Sequence, residues 1–170
     1  MLGQRFIPEG FDAPTVDTKR WKLRLLNMDH LAQDYHAWMS SIDHLRNGGM
    51  LQPPGAPWID WPRPDLGIRW ELAALGENEF SFIYGYKVEY IVLSPDETEA
   101  FGCIYIFPPS KAGFDAEVTM WTRADVVDGY DAELYSFARA WIPEEYQFLD
   151  NIAWPGREIS WEDWEQLPDE

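Results

Sequence analysis

Few residues of this sequence stand where they could do chemistry, and Glu117 is the first of them. It lies in the run Ala116-Glu-Val-Thr-Met-Trp-Thr-Arg123, whose alternation is that of a β-strand, so Glu117 shares a face with Thr119, Trp121 and Arg123. A carboxyl beside an indole is desolvated, which raises its pKa toward the range of a general base; pairing with Arg123 would lower it. His30, His36 and His44 fall on one predicted helix. His30 and Asp34 are one turn apart, with His44 near the same side, but His36 points the other way and no second His or Cys pair exists. No metal site is therefore expected. Cys103 sits in a run that is apolar on both faces and reads as a packed thiol rather than a nucleophile. Ser40 and Ser41 have no Gly-x-Ser-x-Gly context, so no hydrolase elbow is expected. Trp58, Ile59 and Trp61, interleaved with Pro53, Pro54, Pro57, Pro62 and Pro64, either line an acceptor pocket or cover the core.

The elements that must position these groups follow from periodicity. Trp21, Leu23 and Leu25 alternate with Lys22 and Arg24 as in a half-buried strand. Asn27 or Asp29 is placed to cap one helix running to about Asn47, with Leu31, Tyr35, Trp38, Ile42 and Leu45 as its apolar stripe and Gly48-Gly49 as its end. A stiff, irregular loop is predicted over residues 52–64, because proline removes backbone donors, and a second helix over 65–79. Alternation returns over 82–93, with Tyr84, Tyr86, Val88, Tyr90 and Val92 on one side. A turn at 94–97 leads to a partner strand over 101–107, with Phe101, Cys103 and Tyr105 on one face and Ile104 and Ile106 on the other. Being apolar on both faces, that strand is expected at the centre of the sheet. A strand over 116–123, a helix over 131–142 ending at Pro143, and a short strand over 148–153 complete the order. This is an α+β layout, a mixed and largely antiparallel sheet flanked by helices.

The stretch Phe114-Asp-Ala-Glu117-Val-Thr-Met-Trp121-Thr-Arg, followed by Val127-Asp-Gly129-Tyr-Asp-Ala-Glu-Leu134, resembles the strand–loop–helix core of the GNAT-type N-acetyltransferases. Asp34-Tyr-His-Ala-Trp-Met-Ser-Ser-Ile-Asp-His-Leu-Arg46, Phe101-Gly-Cys-Ile-Tyr-Ile-Phe-Pro108 and Trp154-Pro-Gly-Arg157 are similar to a bacterial branch of that superfamily. The likeness spans roughly Trp21 to Arg157. It implies a GNAT-like fold, acetyl-CoA as cofactor, and acyl transfer to a small-molecule amine. It also implies Glu117 as catalytic base, where histone-acetylating members place their glutamate. Strand backbone at Met120, Trp121, Thr122 and Arg123 would hold the cofactor arm. Gly129, at the first glycine of the family's Gln/Arg-x-x-Gly-x-Gly/Ala loop, would help seat the diphosphate at a helix N-terminus.

The sequence departs from that loop: Val126 replaces the Gln/Arg, Asp131 replaces the second glycine, and Asp128 adds a carboxylate. Two charges at about 4 Å interact by about 4 kcal/mol at an effective dielectric of about 20, so carboxylates here would oppose a diphosphate. Asp128 and Asp131 are expected instead to cap the helix. The alternative function is therefore a non-catalytic GNAT-like domain that binds another ligand or a protein partner. The family also continues with another helix and two strands, often supplying a tyrosine acid. Only about 13 residues follow Arg157, none of them Tyr, so a partner chain, a homodimer included, is one way to complete the domain.

The bulk numbers fit this reading. At 170 residues with 46% hydrophobic and 16% aromatic composition, one domain with a packed core is expected. A net charge of −17 excludes extended nucleic-acid contact, which needs clustered Lys and Arg. The lone cysteine, the lack of a signal pattern and the lack of a spanning apolar run imply a cytoplasmic protein with no membrane contact. From Ile142 onward there are nine acidic residues and only Arg157 as a base, a surplus that suits a solvated tail or attraction of a cationic substrate. The expected organisation is an N-terminal extension at 1–20, a GNAT-like domain at 21–157 and an acidic tail at 158–170.

Overall fold

Among the described residues six strands, β1 (Val16–Asp17), β2 (Lys22–Leu25), β3 (Val88–Leu93), β4 (Ala100–Phe107), β5 (Ala116–Thr122) and β6 (Ile152–Ala153), lie side by side in chain order. Neighbours are antiparallel as far as β5, and only β5 and β6 run parallel. The computed structural model describes residues 4–57 and 61–170; Trp58 and Ile59 of the proline-rich segment lie outside the described residues. Helices α1 (Leu31–Met39), α2 (Ile42–Asn47) and α3 (Ile68–Ile83) lie on one side of the strands, α4 (Val127–Glu145) crosses from β5 to β6, and α5 (Trp161–Gln166) follows β6. No helix among the described residues is long and apolar enough to cross a membrane.

Strand alternation sorts the core into two layers. Leu23, Val88, Tyr90, Val92, Ile104, Ile106, Val118 and Met120 meet Leu134, Ala138, Trp141 and Ile142 of α4. Ile91, Leu93, Cys103 and Trp121 meet Ala37 and Trp38 of α1 and Leu75 of α3. Central β3 and β4 are buried on both faces, as expected for 101–107. Phe101 is the exception to its alternation. Val92 pairs with Gly102 and Leu93 with Ala100, so Phe101 is a bulge residue that opposes nothing. The extra residue turns Phe101 onto the α4 layer, where its ring meets Tyr130 at 4.6 Å, rather than onto the face of Cys103 and Tyr105.

Three element boundaries differ from expectation for identifiable reasons. The single helix expected to about Asn47 is a 3-10 turn (Met28–His30) followed by α1 and α2. Asn27 caps the start by accepting from the Asp29 amide. The break falls at Ser41, whose φ of −125° is not helical and whose hydroxyl accepts from the Ala124 amide. The strand expected over 82–93 begins only at Val88, because α3 runs on to Ile83. That helix closes with Gly85 in the left-handed region (φ 75°), the Gly85 amide on Phe82 O and the Tyr86 amide on Ser81 O. The alternating aromatics at 82–86 therefore belong to a helix end. The strand expected over 148–153 is reduced to Ile152–Ala153.

The segments at either end pack on this frame. Ile7 and Ala13 are buried in the α4 layer, and Val16–Asp17 pairs with β2. Within the acidic C-terminal stretch, Ser160 caps α5 by accepting from the Asp163 amide, and Trp164 is buried against Phe114.

Candidate functional site

β5 and β6 share only two register pairs, Ala116 with Ile152 and Glu117 with Ala153. Beyond them the pairing ends, Trp154 packs against α4, and Arg157 reaches the edge of β5 that β6 has left. Trp154 is fully buried, with Tyr135 of α4 at 5.5 Å. The Arg157 guanidinium makes a two-pronged pair with Asp131 at 2.8 and 3.0 Å and reaches Met120 O at 3.5 Å. The next outward carbonyl on that edge, Thr122 O, lies 3.1 Å from His44 Nε2. Two donors at the parting, Trp154 Nε1 and Arg157 Nε, are buried without an acceptor among the described residues.

α4 begins at Val127, so its N-cap is Val126, which supplies no capping side chain. The expectation that Asp128 or Asp131 caps this helix is thus overturned: both lie inside its first turns. Asp131 instead accepts from Thr122 Oγ1 at 3.0 Å and pairs with Arg157, which offsets its charge. Pro143, expected at the end of this helix, lies within it.

The opposite face of the sheet carries a cavity of about 320 Å³ bounded by β3, β4, β5, α1, α3 and the proline-rich loop. Its wall includes Asp34 from α1, Glu71 from α3, Glu89 from β3, Tyr105 and Phe107 from β4, Thr119 from β5, and Trp61. The three acids are 6%, 2% and 8% exposed. On α3, Glu71, Ala74, Leu75 and Asn78 recur at helical spacing and present one stripe to the cavity. Trp38 Nε1 donates to Glu71 Oε2 at 2.9 Å, the Cys103 thiol to Asp34 Oδ1 at 3.3 Å, and Trp121 Nε1 to the Tyr105 hydroxyl at 2.8 Å. Burial, and then the facing Glu71 carboxyl, push Asp34 well above the usual carboxylate range. Burial also raises Glu89, against the pull of Lys87, whose ammonium lies 2.8 Å from it. Trp38 meets Trp61 and Trp70 at 5.8 and 6.3 Å, and Trp61 meets Trp121 at 6.3 Å, so indoles surround the acids.

No family model matches the sequence, and no curated protein is significantly similar to it. Solved structures are similar in fold. A ribosomal-protein-S5-alanine acetyltransferase from Vibrio fischeri superposes with a TM-score of 0.63 at 12% identity, over 82% of this chain and 72% of the other. A ribosomal L7/L12 alpha-N-protein acetyltransferase in complex with coenzyme A gives 0.51 at 14% identity, over 74% and 68%. The chain has the GNAT-type N-acetyltransferase fold.

In this GNAT fold the residues singled out from the sequence separate into two groups. Met120, Trp121, Thr122 and Arg123 lie on or just after β5, as expected, but with partners of their own. Met120 is buried under α4, and its carbonyl faces Arg157. The Trp121 indole is turned into the Trp38 layer, and the Thr122 hydroxyl is tied to Asp131. Arg123 is held by Glu99, Asp125 and Ala100 O rather than by Glu117. Gly129 sits in the first turn of α4 with open space where a Cβ would stand. Glu117 Oε2 accepts from the Ser110 amide and hydroxyl at 2.9 and 2.6 Å, in a groove that shares its Phe107 wall with the cavity.

Asp34, Glu71 and Glu89 were not recognised as a site from the sequence, although each left a mark. Each is an acid at a position whose periodicity demands an apolar residue: Asp34 one turn before Trp38, Glu71 one turn before Leu75, and Glu89 two before Ile91. Trp61 does line a pocket, one of the two roles open to it. Of the histidines, His44 faces backbone and His30 Nδ1 accepts from the Asn27 amide. Among the described residues no cluster of His, Cys, Asp and Glu is arranged to hold a metal. Cys103 is a fully buried thiol whose pKa burial pushes up, which makes it a poor nucleophile.

Proposed function

We propose that this chain is an N-acyltransferase of the GNAT fold that passes an acyl group from acyl-CoA to a small amine held in the acid- and indole-lined cavity. The observation that carries the proposal is the position of that cavity. Thr119 of β5 forms part of its wall, on the same strand that β6 leaves after Glu117. An amine in the cavity and an acyl group laid where β6 leaves β5 would thus meet across one strand, which supplies orientation. The orphaned donors Trp154 Nε1 and Arg157 Nε suit a ligand rich in amide carbonyls, as a pantetheine arm is. When bound, acyl-CoA supplies the acyl group activated as a thioester.

Within this reading Met120, Trp121, Thr122 and Arg123 offer backbone to the arm, and Gly129 leaves room at the start of α4. Glu117 would take the proton that the amine loses as the new C–N bond forms and the thioester C–S bond breaks, and that proton would be passed to the departing thiolate. Ser110 fixes one of its carboxylate oxygens, and no donor among the described residues reaches the other. The test follows thiol release from acetyl-CoA with a panel of small amines. Amine-dependent release is expected, and Glu117→Gln should lower it by about 10²–10⁴-fold with the fold intact. Full activity in that variant would reduce Glu117 to an anchor for the loop at Ser110.

A second reading has its own observation. Met120 O and Thr122 O already face Arg157 and His44, and Asp128 stands in the first turn of α4. These features favour a domain that keeps the amine cavity and has lost the cofactor. Calorimetric titration with acetyl-CoA separates the two: no heat and no thiol release with any amine selects the second.

A further inference from the structure

Asp34 and Glu71 face each other in the wall of the cavity, from α1 and α3 respectively, and neither touches a base. Glu71 is 2% exposed, yet its Oε1 receives no hydrogen bond from any N–H or O–H donor among the described residues. The neighbour within reach is another acid, Asp34. Two carboxyls this close and out of water cannot both carry charge without a cation beside them. An isolated buried charge is costly unless a cation compensates it. Lys87 does not serve, since its ammonium is engaged by Glu89 and Glu77, both at 2.8 Å. No Lys, Arg or His lines the cavity among the described residues. What surrounds the pair is aromatic: Trp61, Trp70, Tyr105 and Phe107.

We propose that the Asp34–Glu71 pair sets the specificity of this cavity, admitting a compact organic monocation with an apolar body and no carboxylate of its own. Each part of that description has a source on the cavity wall. An acid pair with no cation of its own calls for one ammonium, which Glu71 Oε1 is placed to accept as a charge-assisted hydrogen bond. The indole and phenyl faces take an apolar or aromatic body and add cation–π attraction. A volume of about 320 Å³ lies at the small end of ligand sites and suits a body of one or two rings. The absence of any base on the wall, together with Glu89 beside the pair, turns away amino acids and peptide C-termini, whose carboxylate would be buried against like charge. An amine of this kind is what decarboxylation of an aromatic or aliphatic amino acid produces. The inference rests on the amine cavity of the acyl-transfer proposal, but not on acyl-CoA.

The experiment is isothermal titration of the full chain, without acyl-CoA, using three probes of one shape: phenethylamine, 2-phenylethanol and phenylalanine. Phenethylamine is expected to bind at least roughly tenfold more tightly than the neutral alcohol or the zwitterion, a difference of about 1.4 kcal/mol. Glu71→Gln should erase that preference by weakening phenethylamine alone. Ala74→Phe, which fills the cavity and keeps both acids, should abolish all binding, and it serves if the Gln variant does not fold. Equal binding of amine and alcohol, equal binding of amine and phenylalanine, an unchanged Glu71→Gln, or no heat from any probe would each overturn the proposal. Because no acyl donor is present, failure of acyl transfer leaves this result untouched.

Discussion

Under α4 the sheet buries two hydroxyls, Tyr90 and Tyr146, whose oxygens lie 2.7 Å apart and complete each other; on the opposite face it buries two acids, Asp34 and Glu71, which cannot do so without a proton or a cation. Burial pushes both tyrosines up, so they remain neutral hydroxyls at any ordinary pH. Around them Trp141 packs edge-on to Tyr90 at 5.4 Å, and Phe11 lies 4.9 Å from Tyr146. That hydroxyl pair is closed and self-sufficient. The other layer has the same wealth of aromatics but lines an open volume with acids and, among the described residues, no base. Polar groups that satisfy one another hold a fold together, whereas a buried polar group left without a partner marks where something else binds.

The contrast can be broken most forcefully on the closed side. Leu134→Ala removes a fully buried side chain from the α4 layer and should cost about 2–5 kcal/mol by chemical denaturation, while phenethylamine affinity of the folded protein stays as it was. A comparable loss of affinity would show that the two layers are coupled. Arg157→Ala should cost about 2 kcal/mol, between the exposed and the fully buried ion-pair cases, because it leaves the half-buried Asp131 with only the Thr122 hydroxyl. The same variant should weaken acetyl-CoA binding if Arg157 helps hold the arm; tighter binding would mean that Arg157 closes the slot. Tyr146→Phe leaves the Tyr90 hydroxyl without its partner and should cost about 1–2 kcal/mol, with no effect on any ligand.

The smallest effect at acid pH, and one that grows with pH, is expected of Asp34→Asn. A carboxyl whose folded pKa lies above its unfolded value of 3.8 keeps its proton in the folded chain after the unfolded chain has lost it. The stability this supplies is full below pH 3.8 and is lost as pH rises toward the raised folded pKa. Asn cannot titrate, but its amide can still donate to Glu71. Stability of the variant, measured by denaturant midpoints, should therefore match the native chain near pH 4 and exceed it increasingly above. Parallel pH profiles for the two proteins would show that Asp34 does not hold the proton.

Much of this architecture was legible beforehand because it rests on local periodicity. The alternation of 101–107 and 116–123 indicated two adjacent strands, and the helix expected over 131–142 lies within the one that covers them. The resemblance carried by residues 114–134 pointed to the GNAT fold that the solved structures share. Where reading by period went astray, a single local interaction decided the outcome. A hydroxyl of Ser41 that caps a distant amide splits one helix into two, and Gly85 ends α3 beyond the point where aromatic alternation suggested a strand.

The sequence by itself determined the order of elements, the apolar faces and the chemical types available to a site, since these depend on residues a few positions apart. Only the tertiary structure decided what those types do. Asp131 was expected to cap a helix, but it lies within bonding distance of Arg157, 26 residues away. Trp121, expected beside Glu117, donates to Tyr105 instead. Asp34, Glu71 and Glu89, far apart along the chain, become one acidic wall because α1, α3 and β3 pack together. Periodicity says which way a side chain points on its own element; what stands opposite depends on how separate elements dock, and a charge gains its meaning from that neighbour.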